Sequence, residues 1–196
     1  MVIDDDPEFR ASVGRLLRSV GLSSYLFASI SDYLRFDPPD CPTCLLLDVR
    51  LPGRSGLDFQ RDLAAKNSEV PIIFVTAHGD IPMTVQAMKG GAIEFLTKPF
   101  RDQDLLDAIN LGLARDRARR EHNQALSAFR ARFEALTPRE RKVMTGVVQG
   151  RLSKQIASDL GITEGTVKVH RSNLMRKMGV ASLADLCRIA DRLELC

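Results

Sequence analysis

Apolar residues follow two rhythms along the first 112 positions of the chain. Short, mostly apolar runs alternate with stretches in which apolar residues recur every three or four positions. The runs are "MVI" at 1–3, "SSYLF" at 23–27, "CLLLD" at 44–48, "PIIFVTA" at 71–77 and "AIEFL" at 92–96. Between them lie helical stretches. Phe9, Val13, Leu16, Leu17 and Val20 follow Pro7, a residue suited to a first helical turn, and Gly21 ends the series. Further helices are expected around 29–35, 56–66, 81–90 and 102–113, with "LPGRSG" at 51–56 as a loop. Five βα units with near-continuous apolar strands predict an α/β domain, a doubly wound five-stranded parallel sheet covered by helices on both faces.

The rhythm then changes. Residues 113–135 are rich in Ala, Arg, Glu and Leu and contain no Gly or Pro. They predict a helical linker, able to continue the helix before it. From 136 to 196 every apolar pattern is helical. "TPRE" at 137–140 sets Thr as N-cap, Pro at the first helical position and Glu at the third, a capping box. That helix stops at Gly150. A short one ends at Gly161, a longer one runs from Thr163 to Gly179, and "SLADLCRIADRL" gives a fourth. The expected organisation is 1–112, 113–135 and 136–196, the last an all-α four-helix domain.

Charge sharpens this division. Residues 1–112 carry 11 Lys and Arg against 16 Asp and Glu, a net of −5, and the remainder carries 17 against 9, a net of +8. The basic half is the candidate for nucleic acid. No apolar run approaches the roughly 18–20 residues of a membrane span, and the N-terminus has no signal-peptide pattern. A cytoplasmic protein without membrane contact is expected. Cys41 and Cys44 have the spacing of a redox pair but lead directly into a strand, not a helix. They read as two unpaired thiols at a loop–strand junction, consistent with a reducing compartment; Cys187 and Cys196 are the other two cysteines.

In an open parallel sheet the functional cleft lies beyond the carboxyl ends of the strands. Those ends carry Asp4, Asp5, Asp6, Asp48, Thr76 and the Lys98 turn. Several carboxylates there suit a hard cation such as Mg²⁺, which favours oxygen ligands. A carboxylate beside the ion can attack phosphorus, with an ammonium and a hydroxyl to meet the phosphoryl oxygens. A single strand-end Asp is more often a helix cap, but the full ordered set is not explained that way.

"VIDDD", "LLLDVRLPGRSG", "FVTAHGD" and "FLTKPF" resemble, in order and spacing, the receiver domain of two-component response regulators, and "TAHGDIPMTVQAMKGGAIEFLTKPF" is most similar to the FixJ subfamily. The resemblance implies a flavodoxin-like sheet of order 2-1-3-4-5. It makes Asp48 the phosphoacceptor, with Mg²⁺ (or Mn²⁺) held by Asp5, Asp4, Asp48 and the Arg50 backbone carbonyl. Lys98, before a cis Pro99, would pair with the phosphoryl group and Thr76 would hydrogen-bond to it. Phe95 would be the switch aromatic, and the 81–113 surface would mediate dimerisation. Only Met1, Val2 and Ile3 precede the acids, where a receiver's first strand has several residues, so a weakened strand and metal site are expected.

The last domain reads independently as a helix-turn-helix, with "LGITEG" between a short helix and one carrying Lys168, His170, Arg171, Arg176 and Lys177. Residues 136–190 resemble the LuxR/NarL-type DNA-binding domain. Carried over, Lys168, Val169 and Ser172 face base edges, while Thr166, His170, Arg171 and Lys177 approach phosphates. Leu183, Leu186 and Ile189 serve either DNA-bound dimerisation or the domain's own core. The implied protein is a transcription regulator, not an enzyme. A sensor histidine kinase phosphorylates it, and as a homodimer it binds double-stranded operator DNA and acts with RNA polymerase, most simply as an activator. Similarity to StyR-like regulators implies a setting in aromatic catabolism. Two alternatives stand. One is a DNA-binding regulator with an inert receiver. The other is a Mg²⁺-dependent phosphohydrolase with an aspartyl nucleophile, which needs a second acid where this chain has Arg50.

Overall fold

The computed structural model describes residues 1–192; Leu193 to Cys196, which include the fourth cysteine, lie outside them. The described chain separates into two compact units, Met1–Arg120 and a second beginning at Glu121.

The first unit contains β1 (Val2–Ile3), α1 (Pro7–Ser19), β2 (Leu26–Phe27), α2 (Ile30–Leu34), β3 (Leu45–Leu47), β4 (Arg50–Leu51), β5 (Arg54–Ser55), α3 (Gly56–Ala65), β6 (Ile72–Thr76), α4 (Ile81–Lys89), β7 (Glu94–Thr97) and most of α5 (Asp102–Glu134). Five strands form one parallel sheet in the order β2-β1-β3-β6-β7, the expected 2-1-3-4-5 once the small β4–β5 pair is set aside. That antiparallel pair falls where a plain loop was expected. Two-residue strands around Gly53, at φ 80°, are too short to show a period of two in sequence.

The apolar runs of β1, β3 and β6 reflect burial on both faces. Ile3, Leu45, Leu47, Ile72 and Phe74 point to one side, where they pack with α2, α3 and α4. Val2, Leu46, Ile73 and Val75 point to the other, against α1 and α5. Adjacent strand residues thus feed two separate cores, as strand geometry requires. The short β1 pairs with β2 and β3 at once, and Val2 and Ile3 are fully buried.

The helix expected at 102–113 and the helical linker after it form one element, α5, which runs unbroken to Glu134. Its Asp116 has no solvent exposure. That carboxylate accepts hydrogen bonds from Thr43 N–H, Arg119 and Arg120, while Arg120 also reaches Asp40. Burial alone would raise the Asp116 pKa; the hydrogen bonds from Arg120, Thr43 N–H and Arg119 outweigh it and hold the acid below its ordinary value. Two turns of the expected linker therefore belong to the first unit. Cys41 is exposed and Cys44 buried, and both are free thiols, as is Cys187; burial pushes the Cys44 thiol up, away from the reactive thiolate.

The second unit holds α6 (Pro138–Val148), α7 (Ser153–Leu160), α8 (Glu164–Met178) and α9 (Leu183–Arg192). The capping box at Thr137 and Glu140 is present, and Gly161 and Gly179 close α7 and α8 in the left-handed conformation. Val143, Val147, Ile156, Val167, Leu174, Met178, Leu186 and Ile189 make one core, joined by Phe129 and Phe133 from the end of α5. Leu186 and Ile189 are thus spent on the domain's own packing, leaving Leu183 exposed.

Candidate functional site

The carboxyl ends of β1, β3, β6 and β7 converge on one cleft. Asp4 follows β1 directly and is 1% exposed. Its Oδ1 accepts from Asp6 N–H at 3.0 Å, its Oδ2 accepts from Lys98 Nζ at 2.6 Å, and its carbonyl accepts from Arg10 at 2.6 Å. Asp48 follows β3, is nearly buried, and accepts from Arg50 N–H at 2.9 Å and from Lys98 Nζ at 3.2 Å. Asp5 is exposed, and one carboxylate oxygen each from Asp4, Asp5 and Asp48 lie within 4.8 Å of one another. Three hard oxygen donors at this spacing can hold a divalent cation, with the exposed acid on the open side. Burial pushes the Asp4 carboxyl above its ordinary value, with Lys98 pulling the other way.

The three consecutive acids have separate duties. Asp6 caps α1, its Oδ1 accepting from Glu8 and Phe9 N–H groups. Thr76 ends β6, is 1% exposed, and its hydroxyl accepts from His78 N–H at 3.3 Å. Lys98 lies one residue beyond β7, before a cis peptide to Pro99. Phe95 sits half-buried on β7 with its ring 6.1 Å from that of Phe74.

Three residues of this cleft escaped the sequence reading. A Cβ on Gly56 would come within 2.3 Å of the Asp48 carbonyl, so only glycine lets α3 begin that close to the acid. A Cβ on Gly79 would meet Phe95 at 2.8 Å and Thr97 at 2.9 Å, so this glycine makes room for the aromatic. The Phe9 ring lies 3.6 Å from Lys98 Nζ. The glycines resembled ordinary loop punctuation, and Phe9 resembled an ordinary core position of α1.

In the second unit, α7 and α8 are joined by a three-residue turn through Gly161, Ile162 and Thr163. The Thr163 hydroxyl accepts from Thr166 N–H and pairs with the Thr166 hydroxyl at 2.9 Å. Lys168, Val169 and Ser172 are exposed on α8, whereas Thr166, His170 and Arg171 are half-buried. Lys177 departs from its expected setting. Its ammonium donates to Glu140 at 2.8 Å, and that same carboxylate accepts the Thr137 N–H of the capping box. The cation thus ties α8 to α6 before any phosphate could claim it. The ends of α7 and α8 are closed by arginines: Arg139 donates to Leu160 O and Arg132 to Met178 O, each at 3.1 Å.

Comparisons with known proteins agree with this geometry. The response regulator receiver domain model matches residues 1–110, and the model of bacterial regulatory proteins of the luxR family matches residues 134–190. Nodulation protein W of Bradyrhizobium diazoefficiens is 52% identical over 194 residues, spanning 99% of this chain and 86% of that protein. The solved structure of the response regulator StyR superposes with a TM-score of 0.85 at 47% identity, covering 97% of this chain and 96% of that one. Full-length FixJ from B. japonicum gives a TM-score of 0.58 at 37% identity, over 100% and 96%.

Proposed function

The chain belongs to the response regulators that join a receiver to a LuxR-type DNA-binding domain, and from that premise we propose that phosphorylation of Asp48 controls its binding to operator DNA. It is a two-component transcription regulator of the FixJ subfamily, not an enzyme. The observation that carries the proposal is Lys98, poised between Asp4 and Asp48 at 2.6 and 3.2 Å.

Asp4, Asp5, Asp48 and the Arg50 carbonyl would hold Mg²⁺ (or Mn²⁺), and their all-oxygen donor set fits that ion. When bound, the ion neutralises the clustered acids and draws electron density from phosphoryl oxygens. Asp48, oriented by Arg50 N–H, supplies the attacking oxygen. Its P–O bond forms as the bond to the donor's leaving group breaks. Lys98 shifts toward the phosphoryl oxygens, and Thr76 turns its hydroxyl to another. Phe95, beside Gly79, follows Thr76 inward. The donor in the cell is a sensor histidine kinase, and the setting is cytoplasmic.

Phosphorylation then biases a two-state equilibrium toward a homodimer. Ile81, Val85 and Met88 stand exposed along one face of α4, with Leu111 exposed on α5, an apolar surface suited to a second copy. Paired α8 helices enter successive major grooves, Lys168, Val169 and Ser172 toward base edges and Thr166, His170 and Arg171 toward phosphates. Lys177 contributes there only by exchanging Glu140 for a phosphate. Promoter-bound dimers act with RNA polymerase, as an activator.

The test is to incubate the chain with Mg²⁺ and acetyl phosphate and to record intact mass, solution size and promoter-DNA affinity. Wild type is expected to gain one phosphoryl group, to dimerise and to bind more tightly; Asp48→Asn should do none of these. Tight, unchanged DNA binding in both, with no mass gain, would establish an inert receiver instead.

A further inference from the structure

We propose that Phe9 is a positioning residue for Lys98, its ring face seating the ammonium beside Asp48. The inference rests on the reading of Asp48 as phosphoacceptor. Among the described residues, Lys98 Nζ contacts Asp4 at 2.6 Å, Asp48 at 3.2 Å and the face of the Phe9 ring, 3.6 Å from its centroid. The last distance is well inside the roughly 6 Å reach of a cation–π contact. Phe9 is itself fixed on two sides. Its N–H donates to Asp6 in the first turn of α1, and its ring stands edge-on to Phe100 at 6.1 Å and 89°. Phe100 lies two residues beyond Lys98, so the ring is clamped to the turn that carries the ammonium.

The chemistry explains why a ring suits this place. A third carboxylate would hold the ammonium in a competing ion pair, and water would let it swing. A neutral ring attracts the cation without competing with an incoming anion. The step served is the transfer from acetyl phosphate. An Asp48 oxygen forms the new P–O bond, the donor's P–O bond breaks, and acetate leaves with the bonding electrons. During that step Lys98 exchanges Asp4 for a phosphoryl oxygen while its contact with the ring persists.

The experiment replaces Phe9 with phenylalanines of rising fluorine content, which keep the ring's shape and drain its negative face. The phosphorylation rate should fall stepwise with fluorination, by about tenfold across the series. Phe9→Tyr and Phe9→Trp should keep the rate, and Phe9→Leu should lose it with little change in melting temperature. A rate indifferent to fluorination overturns the proposal. A second readout needs neither Mg²⁺ nor phosphate: ring currents should move the Lys98 ε-proton signals upfield in wild type and not in Phe9→Leu. Ordinary positions in wild type overturn the seating outright. If wild type accepts no phosphoryl group, the phosphoacceptor reading fails, and the ε-proton shifts alone decide for or against the seating.

Discussion

Glu140 does two jobs with one carboxylate: it completes the capping box of α6 and holds Lys177 of α8. The Lys177 hydrogen bond, aided by those from Thr137, outweighs burial and brings the Glu140 pKa down from 4.5 to about 2. Because the folded value lies below the unfolded one, its stabilisation is complete above about 4.5 and is lost as pH falls toward 2. Urea denaturation of wild type should weaken across that window. Glu140→Gln can still cap but cannot pair, so it should weaken less than wild type there, the remaining loss coming from other acids with lowered values such as Asp116. At neutral pH the variant should be less stable than wild type by about 1–3 kcal/mol. Equal acid sensitivity in both proteins would assign the effect to other carboxylates.

Among the elements, α3 shows how tightly its start is bound to the chemistry. Gly→Ala at a compatible site normally stabilises by about 0.4–1 kcal/mol. At Gly56 the added carbon meets the Asp48 carbonyl at 2.3 Å, so the sign should reverse. Gly56→Ala is expected to cost about 1–3 kcal/mol in thermal unfolding and to slow phosphoryl uptake. Strands buried on both faces, such as β3 and β6, were legible because four or five apolar residues in a row leave no polar face. The strand-end residues Asp4, Asp48, Thr76 and Lys98 were legible because topology fixes where such ends meet. The β4–β5 pair and Gly79 were not, being set by backbone conformation and close approach rather than by pattern. The Lys177–Glu140 pair was hidden for a related reason: a cation on a basic helix looks the same in sequence whether it faces solvent or a buried acid 37 residues away.

Across the whole molecule the acidic and basic halves divide the labour, −5 before residue 113 and +8 after it. Operator affinity should therefore fall steeply with salt, by a log–log slope near −0.9 for each phosphate neutralised. Arg171→Ala should flatten that slope by about one and weaken all sequences alike. Lys168→Ala should leave the slope and lose about 1–3 kcal/mol at the operator alone. An equal loss on every sequence would move Lys168 to the phosphate class. Asp116 adds a consequence for anyone dividing the chain. A fragment ended at residue 112 removes the buried acceptor of Thr43 N–H and leaves Asp40 without Arg120. A fragment ended at Arg120 keeps the clasp whole, and of the two it should give the higher melting temperature.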